Sequence, residues 1–391
     1  LRTSSSIATN PPQPVIDTAH DTAHLRERLI ALTRDLVLIP SSEERPDELR
    51  RATEWVGNHL ESLEGVVVHS YETNGVTSLV ALPAGCAEPD VLMFGHVDVV
   101  HHVDPHSYRS ELAEGRIYGP GTGDMKGIVA ILLELFRKFQ LQSPGISLGL
   151  AITSDEERGG ENGTRALLEE HGLRCKVALV PDGGSPDEVV VEEKGILQLD
   201  LEVTGRACHA ARPWLGDNAL EYLISVSREI ASWVRANDPP PVPDENHWHS
   251  TCCLTRLWTP NLSGNRIPSH AGATLDIRFP GPFQSAEILK NIESLVPPPG
   301  KVTRVLSAEP SILSPDPAFF DACESVLGYR PRERREHGGS DARFIANHDI
   351  PVIMSRPLCG NLHSRREWID IDSMVQFHEI YRNYLEVRLG S

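Results

Sequence analysis

Apolar residues recur at helical spacing in LRERLIALTRDLVL, residues 25–38, and predict a helix that stops before Pro40. PDELRRATEWVGNHLESL predicts a second helix, and VVVHSY, SLVALP and VLMFGHVDVV read as strands. GIVAILLELFRKF is a strongly apolar helix, whereas ISLGLAITSDEE and VALVPDGG are apolar strands that end in acids. Strands and helices in this alternation predict an α/β fold, a mixed and mostly parallel sheet sandwiched by helices.

The texture changes near residue 195. GILQLDLEVTG and GATLDIRFP alternate as strands with one solvated face, and ALEYLISVSREIASWV is a helix between them. The proline-rich stretches DPPPVPDE and VPPPG are loops. Residues 195–310 therefore read as a smaller α+β domain inserted into a larger one made of residues 25–194 and 311–391. ACESVLGY, IPVIMSR and SMVQFHEIYRNYLEVRL supply the returning helix, strand and helix. Residues 1–24 are rich in Ser, Thr and Pro, lack the apolar core of a signal peptide, and are expected to form a disordered tail.

Composition narrows the partners. A chain of 391 residues with a formal net charge of −18 has ample material for a core but no basic excess for nucleic acid or an anionic membrane. Seven cysteines without a CxxC pair argue against a disulfide framework, and a reducing cytoplasm is the expected location. No apolar run is long enough to span a bilayer.

The candidate chemistry lies where predicted strands end, which is where open α/β sheets gather their ligands. His96 and Asp98 end one strand, and Asp155, Glu156 and Glu157 end another. Asp182 follows VALVP, His363 follows IPVIMSR, and Asp124 sits in the glycine-rich GPGTGDMKG before a helix. Singly, each has a plain explanation: Asp124 as a helix N-cap, the DEE run as a solvated turn, each histidine as an ordinary loop residue. GPGTGDMKG also lacks the spacing of a phosphate-binding loop. Together, imidazoles and carboxylates without a thiolate suit catalytic zinc. His101, His102, His106, His247 and His249 read as loop residues, and Cys208 as a thiol with no activating neighbour.

GHVDVV, GPGTGDMKG, DEERGG, PDGG, GRACHAARP, NRIPSHAGATLDIRF and GGSDARF, in this order, resemble the di-zinc metallopeptidase family of acetylornithine deacetylase, succinyl-diaminopimelate desuccinylase, glutamate carboxypeptidase and aminoacylase. The resemblance implies two divalent ions, zinc before cobalt or manganese. His96 and Asp182 would hold one, Glu157 and His363 the other, and Asp124 both. Asp98 would orient His96, and the Asp124–Met125 peptide bond would be cis. Glu156 would be the general base for a hydroxide shared by the ions. His209 would stabilise the oxyanion from the partner subunit of a homodimer, with the inserted domain as lid and dimerisation surface. Arg278 would grip a substrate carboxylate, and Asn265 and the Gly338-Gly339-Ser340 turn would help hold the substrate. Arg366 stands where many relatives carry asparagine, while Glu367 keeps its place. The implied reaction is hydrolysis of an N-acyl amino acid. A dipeptidase or carboxypeptidase with the same chemistry is the alternative, and an inactive binding protein on this fold or a purely structural role for the metal are the outside ones.

Overall fold

The computed structural model describes residues 18–238 and 247–390. Its main sheet has six strands, ordered in space Val66–Thr73, Val76–Pro83, Leu148–Thr153, Val91–His96, Val177–Leu179 and Val352–Ile353. The first two form an antiparallel hairpin, and the second is antiparallel to Leu148–Thr153. The remaining pairings are all parallel, which gives the mixed, mostly parallel α/β sheet.

Side chains leave these strands alternately for two cores. Val91, Met93, Leu148, Leu150 and Ile152 join the helices Thr18–Val37, Pro46–Glu61, Gly127–Gln142, Pro317–Leu327 and Ile371–Leu389 on one face. Leu92, Phe94, Ala151, Ala178 and Val180 join the short helices Thr164–Glu169 and Ala342–Ala346 on the other. Because both faces are covered, the central strands read as unbroken apolar runs. Parallel pairing also brings their carboxyl ends to one rim.

A second, antiparallel sheet is ordered Thr251–Trp258, His270–Phe279, Gly195–Thr204 and Gly300–Ala308. Leu197, Leu199, Leu201, Leu275 and Ile277 on one face pack against the helices Ala219–Asn237 and Ser285–Ser294. The opposite face carries Ile196, Gln198, Asp276 and Arg278, in register across neighbouring strands.

The first helix begins at Thr18, inside the stretch expected to be a tail. Residues 21–24 are exposed, and residues 18–24 have no apolar spacing to signal a helix, but extending a formed helix is cheap once packing has nucleated it. Residues 1–17 of that tail, and all of the DPPPVPDE loop after Asp238, lie outside the described residues. The strand at VLMFGHVDVV stops at His96, where the chain turns into the rim.

Candidate metal centre and active site

Each member of the candidate centre reaches the rim on a strand end or the loop just beyond it. His96 ends its strand, Glu156 and Glu157 form a short turn after Thr153, and Asp182 follows Leu179. Asp124 comes from the loop before the helix Gly127–Gln142, and His363 from the turn after Cys359–Gly360. The Asp124–Met125 peptide bond is cis.

The side chains converge on Asp124. Its Oδ1 lies 3.1 Å from His96 Nε2, and its Oδ2 lies 3.3 Å from His363 Nε2. His363 Nε2 is also 3.3 Å from Glu157 Oε2. Among the described residues, His96, Asp124 and Asp182 form one group with ligand atoms all within 4.8 Å, and Asp124, Glu157 and His363 form another. Glu156 Oε2 lies 4.0 Å from His96 Nε2.

Neighbouring groups fix the frame. Asp98 sets its backbone carbonyl 3.1 Å and its Oδ1 3.4 Å from His96 Nδ1, while its Oδ2 accepts the Glu157 N–H at 2.9 Å. Buried Glu367 accepts the N–H groups of Gly123 and Asp124 at 2.8 and 2.9 Å. Gly123 has to be small here, because a β-carbon would lie 2.8 Å from that of Cys359.

The electrostatics are those of an acidic pocket that holds protons. Burial disfavours protonated His96, but Asp124 and Asp98 outweigh burial and raise its pKa. Burial and then Asp182 push Glu156 well up, and burial and then Asp124 do the same to Asp182. Burial, helped by Asp124, takes Glu157 to about 7. The contact with Asp124 takes His363 to about 9. Burial would raise Asp124, yet its contacts with His363 and His96 hold it low. Glu157 Oε1 is buried without a hydrogen-bond partner. A convergent set of imidazoles and carboxylates with an orphaned carboxylate oxygen fits divalent cations, and the absence of thiolate fits zinc or a harder ion.

The centre opens into a cavity of about 640 Å³ between the two sheets. Arg278, Gly338, Gly339 and Ser340 line it, together with Asp124, Glu156, Glu157, Asp182 and His363. Arg278 is held by Asp276, with Nε–Oδ1 at 2.8 Å. The N–H and hydroxyl of Ser340 both donate to buried Glu193, at 3.0 and 2.8 Å, so the donors expected to meet substrate are committed within the protein. His209 and Asn265 are brought together, with the Asn265 carbonyl accepting the Ala210 N–H at 2.8 Å, but neither lines this cavity. Arg366 is also absent from its walls and holds its guanidinium 6.0 Å from the Tyr118 ring.

Residues 92–387 match the sequence profile of Peptidase family M20/M25/M40. The chain belongs to this family. Among M20 relatives, the succinyl-diaminopimelate desuccinylase of Rhodospirillum centenum is 30% identical over 383 residues, covering 91% of this chain and 96% of that protein. The desuccinylase of Rickettsia akari is 27% identical, covering 81% of this chain and 87% of its own length. Two solved structures share the fold. The M20 metallo-carboxypeptidase Sso-CP2 of Sulfolobus solfataricus has a TM-score of 0.75 at 16% identity, covering 93% of this chain and 99% of that one. Human carnosine dipeptidase 1 has a TM-score of 0.76 at 15% identity, covering 98% and 100%. The M20 chain described here also lines its cavity with Gln198, Arg334, Glu336, Arg343 and Arg356, none of which sequence reasoning singled out. Gln198 carried a signal as a polar residue alternating with leucines in GILQLDL, and Arg343 lay within the GGSDARF motif.

Proposed function

We propose that this protein uses two zinc ions to hydrolyse the amide bond of an N-acyl amino acid. The observation that carries this reading is the position of Asp124, which offers one carboxylate oxygen to each of two ligand groups. His96 and Asp182 would complete one site, and Glu157 and His363 the other. When bound, the ions would lower the pKa of water and polarise the scissile carbonyl. Glu156, partly buried beside the centre, takes the proton of the attacking water and returns it to the leaving amine nitrogen. Asp98 holds the His96 ring, and Glu367 fixes the backbone that presents Asp124. Arg278 reaches a substrate carboxylate only with the guanidinium donors that Asp276 leaves open, and Gly339 leaves room for the substrate at the turn before Ser340.

The unit spanning residues 195–310 acts in this reading as lid and dimerisation surface. Thr251–Trp258 is an edge strand with Leu254, Leu257 and Trp258 exposed, which supports pairing with a second copy. His209 and Asn265 of one protomer then complete its partner's site, His209 by donating to the developing oxyanion. No helix among the described residues is long and apolar enough to cross a membrane. The cytoplasmic location rests on the reading of the cysteines as free thiols.

The desuccinylase relatives favour the acyl amino acid over the alternative, a dipeptidase or carboxypeptidase. A complete ligand set with Glu156 beside it speaks against an inactive binding protein. The test is hydrolysis of N-acetyl, N-succinyl and N-formyl amino acids and of dipeptides by zinc-loaded protein, with and without chelator. Chelator-sensitive turnover of an N-acyl amino acid is expected. Cleavage of dipeptides alone would replace this reading with the peptidase one, and no cleavage in spite of full metal occupancy would overturn both.

A further inference from the structure

We propose that Arg356 binds a carboxylate of the substrate next to the scissile amide, an inference that rests on the amide-hydrolase reading above. Arg158, Arg278, Arg334, Arg343 and Arg356 line the cavity. The first four have their guanidinium groups engaged. Arg158 meets Glu43 at 3.3 Å, and Arg278 grips Asp276 through Nε and Nη2. Arg334 pairs with Glu188 and Glu336, and Arg343 donates to the carbonyls of Ser340 and Gly159.

Arg356 differs. Its side chain is 14% exposed, and its one charged neighbour within 4.0 Å among the described residues is Asp182, at 3.7 Å and so beyond a hydrogen bond. Its Nε is buried without a partner, as is that of Arg343, but Arg343 donates both terminal nitrogens to backbone carbonyls. A guanidinium carries five donors in a planar fork matched to a carboxylate, and leaving them unpaired away from water is costly. Arg356 follows the strand Val352–Ile353 at the same rim as the metal ligands, so an anion bound there lies beside the reacting bond. Asp182 is a poor substitute for that anion, since its carboxylate is also claimed by the His96 and Asp124 group.

The test compares zinc-loaded wild type, Arg356→Lys and Arg356→Met on N-acetyl-leucine and on N-acetyl-leucinamide, which lacks the carboxylate. Wild type is expected to prefer the acid. Arg356→Met should lose about 10- to 100-fold in kcat/KM on the acid, mainly through KM, as expected for a charged hydrogen bond. Its rate on the amide and its zinc content should stay unchanged, and Arg356→Lys should retain part of the preference. Equal losses on both substrates, loss of zinc, or no preference in wild type would overturn the proposal and make Arg356 a counter-charge for Asp182. If wild type prefers another N-acyl amino acid, that substrate and its carboxamide replace this pair; if it cleaves no N-acyl amino acid, the functional reading is what fails. Succinate titrated calorimetrically into zinc-loaded protein then decides: weaker binding by Arg356→Met supports the assignment, and equal binding ends it.

Discussion

Asp98 links two parts of the centre with a single side chain and its own backbone. Its carbonyl faces His96 while its carboxylate takes the Glu157 N–H, so a shift of either ligand is felt by the other. The convergence of His96, Asp124, Glu157, Asp182 and His363 was legible in the sequence because each sits just past a predicted strand or beside a glycine-rich loop, in an order that motifs preserve. Arg356 was not legible, since one arginine after a short apolar run has no spacing to mark it. The bond from Asp98 to Glu157 was hidden for another reason: it joins loops distant in sequence, and only the parallel register sets them together. The raised pKa values of Glu157, about 7, and His363, about 9, bear on metal loading. In the empty site both groups retain protons that free carboxylates and imidazoles would have released, and a cation has to displace them. Zinc affinity should therefore fall as pH drops from about 8 to about 6, by roughly tenfold or more per pH unit, with protons released on binding. Calorimetric titrations in buffers of different ionisation enthalpy would measure both; affinity flat across this range would contradict the assignment.

Among the elements, the helices Thr18–Val37 and Gly127–Gln142 are joined by an ion pair as well as by apolar packing. Arg28 meets Glu134 at 2.6 Å, and Arg137 approaches the same carboxylate from its own helix. Burial would raise the Glu134 pKa, but the hydrogen bonds from Arg137 and Arg28 overcome it and lower the pKa. The sign follows: the stabilisation is present above the ordinary glutamate pKa and is lost as pH falls through the depressed value. Glu134→Ala should cost about 2–3 kcal/mol near neutral pH, and the gap to wild type should narrow in acid. Urea unfolding at two pH values would check this; an equal gap at both would refute the ion-pair account. The buried central strands and long helices could be read from apolar periodicity. Arg332–Glu336, with the sequence RERRE, could not. It is a strand because it pairs in parallel with Glu188–Glu193, and Glu188 receives both Arg332 and Arg334. Cross-strand charge pairs supply there what apolar alternation supplies elsewhere.

For the molecule as a whole, the cavity belongs to neither sheet alone. The candidate metal ligands come from the rim of one, and Ile196, Gln198, Asp276 and Arg278 from the open face of the other. Placing His209 outside this cavity gives the homodimer proposal a direct test. Glu156→Ala and His209→Ala proteins should each be nearly inactive, and mixing them under conditions of subunit exchange should restore activity, because a mixed dimer contains one intact site. No recovery despite proven exchange would put His209 out of the partner's site. The linear order of the ligands has a further consequence, for biogenesis. One candidate ligand group, His96, Asp124 and Asp182, lies wholly within residues 1–182, whereas the other waits for His363. A ribosome therefore exposes the first set long before the second, and the strand Val352–Ile353, on the edge of the main sheet, must dock before His363 can reach its place. Full metallation is thus expected to follow translation well past His363, long after the first group is complete.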